Sequence, residues 1–144
     1  MIRKVKDRVW SALATLFSER KDEETDRLGA WGEKVALNYL QQQGYRIIER
    51  NFRCKTGEID IIASEGDVLA FVEVKTRSSS LFGEPEDAVD SEKERHLHRV
   101  AYFYLRKNRL RPEDTRMRFD IVSIITESDQ RTIKTIKLYK GIPG

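Results

Sequence analysis

Residues 68–77, Val-Leu-Ala-Phe-Val-Glu-Val-Lys-Thr-Arg, form a nearly continuous apolar and β-branched run with two charges set into it. Such a run reads as a buried strand, and the period-two alternation of side chains puts Glu73 and Lys75 on one face with Leu69 and Phe71. An unpaired charge in that position costs several kcal/mol in order of magnitude, so the fold has to bring compensating groups to it from other segments.

The preceding run, residues 57–63, poses the same problem, with Glu58 and Asp60 on one face and Ile59 and Ile61 on the other. A loop over residues 64–67 would place Ala63 opposite Val68 and Glu58 opposite Glu73. Asp60 would then face Phe71 and lie diagonal to Glu73, at roughly 7 to 8 Å on the same side of the sheet.

Around these two strands the periodicity predicts an α/β architecture. Val5, Val9, Ala12, Leu13, Leu16 and Phe17 fall at helical spacing, and residues 18–26 are charged. Residues 1–24 are therefore expected to be an amphipathic helix with a charged linker, and residues 25–144 a single compact domain. A helix over residues 26–43 should stop at Gly44, followed by a strand over residues 45–53. Residues 78–85 read as a polar loop near a site. Ser91 and Glu94 form a capping box for a helix whose core stripe is Leu97, Val100, Ala101, Tyr104 and Leu105. Strands over residues 116–125 and 132–139 complete the chain.

Glu33 shares a helical stripe with Gly29, Ala36, Leu37 and Leu40, so it points where a core residue should. Lys93, four residues before Leu97, also reaches inward from the first turn of its helix or else lies exposed. Carboxylates gathered at a sheet repel one another, and the common compensation is a hard divalent cation held by oxygen ligands, Mg2+ or Mn2+. Such an ion polarises a phosphodiester and activates water, while Lys75 neutralises charge developing on the phosphate. The spacings leave a second reading open, in which Glu73 and Lys75 form an internal salt bridge and Asp60 is exposed.

The chain has 27 Lys and Arg against 24 Asp and Glu, a net charge of +3. The charge is uneven: from Lys93 to Arg118 there are nine basic residues and three acids. That excess suits a phosphate backbone, and equally a solvated helix face. Cys54 is the single cysteine, which excludes an internal disulfide, and one cysteine with two histidines is too few for an independent zinc site. His96 and His98 lie among charged residues and read as exposed, and Trp10 and Trp31 read as core or interface anchors. No apolar run approaches the roughly 18 residues of a membrane span. With no small-residue cleavage site after the first apolar stretch, the expected location is cytoplasmic.

The blocks Gly29-x-x-Gly32-Glu33-x-x-Ala36-x-x-Tyr39-Leu40-x-x-x-Gly44-Tyr45, Asn51-x-Arg53, Gly57-Glu58-Ile59-Asp60-Ile61-Ile62, Phe71-Val72-Glu73-Val74-Lys75-Thr76-Arg77 and Arg118-Phe119-Asp120 resemble those of the YraN-like proteins, the UPF0102 family. The resemblance runs from about residue 26 to residue 125. That family in turn resembles the PD-(D/E)XK nuclease superfamily, in particular its Holliday-junction-resolvase-like branch. The resemblance implies a restriction-endonuclease-like αβββαβ core with a mixed central sheet flanked by helices. It also implies that Asp60 is the first motif acid, that Glu73 and Lys75 are the Glu-x-Lys pair, and that Glu33 is the helix-borne acid. Ile59 stands where the superfamily label has proline. Glu58 resembles an auxiliary acid or one that stabilises the strand pair, and Asp120 a structural residue. The chain closes Leu138-Tyr139-Lys140-Gly141-Ile142-Pro143-Gly144, where many relatives close with Asn-Ala-Phe.

The expected function is thus a metal-dependent endonuclease hydrolysing phosphodiester bonds in DNA, branched or structured substrates included. Glu33, Asp60 and Glu73 would hold Mg2+ or Mn2+, with Lys75 catalytic and Glu58 and Lys93 auxiliary. Arg53, Arg77, Arg99 and Arg118 are the candidate nucleic-acid contacts. The resolvase-like branch implies a homodimer. Alternatives are a non-catalytic nucleic-acid-binding module of the same fold, and an adaptor that recruits a partner protein or membrane through the N-terminal helix.

Overall fold

A computed structural model describes the backbone of residues 18–79 and 91–141, with side chains for residues 27–79 and 96–141. The expected helix over residues 1–17, most of the loop over residues 78–85, and the side chains of Lys93 and of the capping pair Ser91 and Glu94 lie outside what is described. The elements are α1 (Ser18–Gln42), β1 (Arg46–Cys54), β2 (Gly57–Glu65), β3 (Val68–Ser78), α2 (Ser91–Lys107), a short 3-10 turn (Pro112–Asp114), β4 (Met117–Thr126) and β5 (Ile133–Lys140). The five strands form one mixed sheet in the order β1-β2-β3-β4-β5, parallel only between β3 and β4, with α2 on the connection between them. This is the α/β arrangement expected from the sequence.

α1 begins at Ser18, so the charged stretch read as a linker is helical. Glu, Arg and Lys are good helix formers, and without a proline or glycine before Gly29 nothing in residues 18–26 stops the helix. It ends as expected at Gly44, whose φ of +94° is open to glycine at little cost. The Tyr45 N–H donates to the Leu40 carbonyl at 2.9 Å and the Gly44 N–H to Gln41 at 3.1 Å, which satisfies carbonyls that the helix end would otherwise orphan.

Two apolar clusters cover the two sides of the sheet. On one side Leu97, Val100, Ala101, Tyr104 and Leu105 of α2 pack on Phe52, Ile59, Ile62, Phe71 and Phe119. On the other Ala36 and Leu40 of α1 pack with Tyr45, Ile61, Ala70, Val72, Val122 and Ile124, and Trp31 lies partly buried against them. Trp31 is therefore a core anchor. No helix among the described residues is long and apolar enough to cross a membrane.

The β2–β3 register differs from expectation. Glu65 pairs with Val68 and Ala63 with Ala70, so the turn is the two residues Gly66 and Asp67 alone. The shift is by two residues, which preserves the faces and moves Asp60 from a diagonal position to one opposite Glu73. The ladder stops at Ile61 and Val72, one step short of that pair.

Candidate functional site

The strands separate at Asp60. Its side chain takes over where the ladder ends, its Oδ2 accepting the Val74 N–H at 2.8 Å. The alternation of faces also breaks here: Ile59 belongs to the cluster under α2 and Ile61 to the cluster under α1, although they are two residues apart. The expectation that they share a face is thereby corrected. On the neighbouring strand Asn51 has a φ of +52°, a left-handed conformation that asparagine tolerates better than most residues. This irregularity lies between the pairs Arg50–Ile61 and Phe52–Ile59, at the position opposite Asp60.

As a result the Asp60 carboxylate lies in the seam between two clefts. One, of about 280 Å³, is lined by Leu28, Gly29, Glu33, Asp60, Glu73 and residues 74–76. The other, of about 370 Å³, is lined by residues 56–58, Asp60 and Glu73, and by His96, Leu97 and Val100 of α2. Asp60 and Glu73 are common to both. Burial pushes the Asp60 carboxyl up to about 7, helped by the negative charges of Glu73, Glu33 and Glu58 and opposed by the Val74 N–H. The three glutamates thus all act on Asp60.

Each is held by a different neighbour. Lys75 Nζ lies 3.4 Å from Glu73 Oε1, with both side chains largely buried. The salt bridge considered from the sequence is present, but Asp60 is not exposed as that reading required. The Asn51 amide is assigned with its nitrogen towards Glu33, because the opposite orientation sets its oxygen against the carboxylate; so assigned, the nitrogen lies 3.2 Å from both carboxylate oxygens. Asn51 thus orients the helix-borne acid. Glu58 faces Arg53 across the β1–β2 pair and binds its Nε at 2.8 Å on the exposed side.

Glu33 reaches the cleft because α1 lies close to β3. A Cβ placed on Gly32 would overlap Thr76 Oγ1, so glycine permits this approach. Thr76 Oγ1 is buried and has no hydrogen-bond partner.

The donor set fits a hard divalent cation: carboxylate oxygens from α1, β2 and β3 converge on clefts that share Asp60 and Glu73. Among the described residues no three Asp, Glu, His or Cys side chains are already arranged to hold a metal ion. Closure around a cation would require side-chain movement, beginning with release of Glu73 from Lys75.

The remaining candidates are dispersed. Arg99 is exposed on α2, and Arg53 is exposed in its pair with Glu58. Arg77 is half-buried near the end of β3. Arg118 is committed elsewhere. Its Nε donates to Asp120 Oδ1 at 2.8 Å, and its Nη2 to Asp120 Oδ2, to Tyr45 Oη and to Glu65 Oε1 within 3.0 Å. Tyr45 Oη donates to Asp120 Oδ2 at 2.8 Å, Lys140 Nζ binds Glu65 at 2.7 Å, and the Gly141 N–H donates to Asp120 at 2.9 Å. Burial and the Asp120 charge hold the Tyr45 phenol well above its ordinary value, so it remains a donor. The hydrogen bond to Asp120 raises Arg118 further, and the Lys140 and Arg118 hydrogen bonds lower Glu65. This network ties β4 and the end of β5 to β2 and to Tyr45, the residue before β1. Asp120 therefore has the structural place expected of it.

Two residues that the sequence reading gave no part in the site lie at the acidic set. His96, read as an exposed helix residue, lines the second cleft; Asn51 belonged to a recognised block but had no assigned partner.

Comparison with known proteins places this architecture in a group. Residues 32–124 match the family described as "Uncharacterised protein family UPF0102". The chain belongs to the UPF0102 family. It is 47% identical over 98 residues to a UPF0102 protein of Alkaliphilus oremlandii, covering 68% of this chain and 84% of that one. A UPF0102 protein of Syntrophus aciditrophicus is 43% identical over 111 residues, 77% of this chain and 86% of the relative. One of Moorella thermoacetica is 42% identical over 115 residues, 80% and 93%. The match includes Glu33, Asn51, Asp60, Glu73, Lys75 and the Arg118–Asp120 pair, and thus both polar centres of this UPF0102 chain.

Proposed function

We propose that this UPF0102 protein is a metal-dependent endonuclease that hydrolyses phosphodiester bonds in DNA. One observation carries the reading: Glu33, Asp60, Glu73 and Lys75 line one open cleft, where burial and the charges of Glu73, Glu33 and Glu58 raise the Asp60 carboxyl. A carboxyl pushed up chiefly by burial, with three neighbouring acids adding to the shift, suits a cation better than mere support of the fold.

Glu33, Asp60 and Glu73 would hold Mg2+ or Mn2+, which when bound supplies positive charge for activating water and stabilising the phosphorane-like transition state. The Val74 N–H fixes one oxygen of Asp60, and the Asn51 amide fixes Glu33. Lys75, already within reach of Glu73, donates to the attacking water or to a phosphate oxygen as charge builds there. The resemblance to resolvase-like nucleases supports DNA as the substrate, a homodimer and a cytoplasmic location.

The test is a cleavage panel over duplex, single-stranded, flapped and four-way DNA with Mg2+ or Mn2+. Wild type should cleave at least one substrate and Glu73→Ala none, with chelator abolishing the reaction. Equal cleavage by both proteins would refute the assignment. The Glu73–Lys75 ion pair favours one alternative, a non-catalytic nucleic-acid-binding module in which the acids serve stability. That module would bind DNA with unchanged affinity after Glu73→Ala and cleave nothing.

A further inference from the structure

The exposed face of α2 has a composition that neither its core nor the acidic cleft explains. Arg99, Tyr102, Phe103 and Arg106 fall at i, i+3, i+4 and i+7 and all are exposed, the two rings by 42% and 44%. A large aromatic pair between two guanidinium groups is a costly surface to leave in water without a use. No acidic residue occurs between His96 and Arg111, and among the described residues neither Arg99, Arg106 nor Arg109 forms an ion pair.

The rings are braced from below. Tyr102 stacks on His98 at 6.3 Å, and His98 in turn meets Phe119 edge-on at 4.5 Å. Phe103 lies 6.2 Å from Phe52, whose ring carries Lys107 Nζ at 5.4 Å. Each exposed ring is therefore held by interior rings and loses little entropy on contact with a ligand.

The first turns of the same helix, through His96, Leu97 and Val100, line the cleft that contains Asp60 and Glu73. At 1.5 Å per residue, Arg106 lies about 15 Å further along the helix from His96. A strand leaving the cleft meets, in order, Arg99, the two rings and Arg106.

We propose that this face is a binding track for unpaired nucleotides, with Tyr102 and Phe103 stacking on bases and Arg99 and Arg106 contacting the flanking phosphates. Duplex presents its phosphates but keeps its bases stacked internally, so the rings select single-stranded segments. The proposal rests on the nucleic-acid reading above and gives it a substrate feature: an unpaired stretch next to the cleaved bond.

The experiment measures fluorescence anisotropy of the full chain, in chelator, with a labelled oligothymidylate, an abasic strand of equal length and a duplex. Vesicles containing anionic phospholipid form a separate arm. Wild type should bind the base-bearing strand about tenfold tighter than the abasic one. Tyr102→Leu, which keeps an apolar side chain of similar bulk, should remove most of that preference while leaving abasic binding unchanged. Arg99→Gln with Arg106→Gln should weaken both and reduce the salt slope by about 1.4. Equal affinity for base-bearing and abasic strands, wild-type binding by Tyr102→Leu, or binding to vesicles in place of the oligonucleotide would each overturn the proposal. Cleavage is excluded in chelator, so loss of the nuclease reading alone leaves these outcomes intact. Conversely, a cleavage-competent protein with no base preference removes only the track.

Discussion

Asp60 Oδ2 accepts the Val74 N–H at 2.8 Å, a hydrogen bond that in an unbroken sheet would go to a backbone carbonyl. The substitution of a side chain for a strand partner opens the sheet and leaves a carboxylate in the opening. The pH dependence of stability follows from this relationship.

In metal-free protein the folded Asp60 carboxyl, at about 7, lies above its unfolded value of 3.8. Between these values the unfolded chain has released its proton while the folded chain retains it. The unfolded state then binds fewer protons, and stability falls as pH rises from about 4 to about 7. The loss is on the order of 4 kcal/mol. Urea unfolding in chelator at pH 5 and pH 8 should show this decline in wild type and a much smaller one in Asp60→Asn. Mg2+ or Mn2+ should restore stability at pH 8 to wild type only. An identical pH slope in both proteins would remove Asp60 as its source.

Asn51 should matter through Glu33. Its amide lies 3.2 Å from both carboxylate oxygens, and its φ is positive, so replacement by alanine would disturb the backbone and the acid together. Asn51→Gly keeps the backbone conformation and removes only the amide. Loss of such an outer partner typically costs about 10- to 100-fold in metal affinity. Calorimetric titration with Mn2+ should show this drop in Asn51→Gly with cooperative unfolding retained. Unchanged affinity would mean that Glu33 needs no orientation from β1.

Much of this organisation was legible in the sequence, and the rest was not for specific reasons. The stripe from Leu97 to Leu105 could be read because helix period and burial agree at every position. The β2–β3 register could not, because Ser64 and Glu65 look like turn residues. Glu65 is retained in the strand by ion pairs to Arg118 and Lys140, which come from segments more than 50 residues away. The break of alternation at Asp60 was hidden as well, since it accompanies a positive φ at a non-glycine residue. Counting Arg118 with the basic cluster hides its internal ion pairs to Asp120 and Glu65. The argument used for Glu73 applies to it equally: a charge inside an apolar strand requires a buried partner, and Asp120 two residues on is that partner.

The network around that pair gives a prediction of the opposite kind. Asp120 is fully buried, and Arg118 supplies its ionic partner while Tyr45 and Gly141 complete its hydrogen bonds. Removing the guanidinium leaves an uncompensated buried carboxylate, which costs about 3–5 kcal/mol. Arg118→Ala should show that loss in chemical denaturation. Cleavage per folded molecule, at a temperature where the variant remains folded, should match wild type. A selective loss of cleavage or DNA affinity with stability intact would return Arg118 to the ligand contacts.

Gly32 tests whether the approach of α1 to β3 is what delivers Glu33. A methyl group there overlaps Thr76 Oγ1 and presses on Thr76 Cβ at 3.1 Å, so helix and threonine cannot both keep their places. Overpacking of this kind costs about 1–3 kcal/mol, and relief requires the helix to lift away from the strand that bears Glu73 and Lys75. Gly32→Ala should therefore lose stability and metal affinity together. Combining it with Thr76→Ser removes one methyl group but keeps the hydroxyl that makes the closest contact, so it should recover little. Thr76→Ala removes that hydroxyl, which is buried without a partner, and should recover most of both losses. If Gly32→Ala weakens metal binding and Thr76→Ala restores stability alone, the position of Glu33 is not set by this contact.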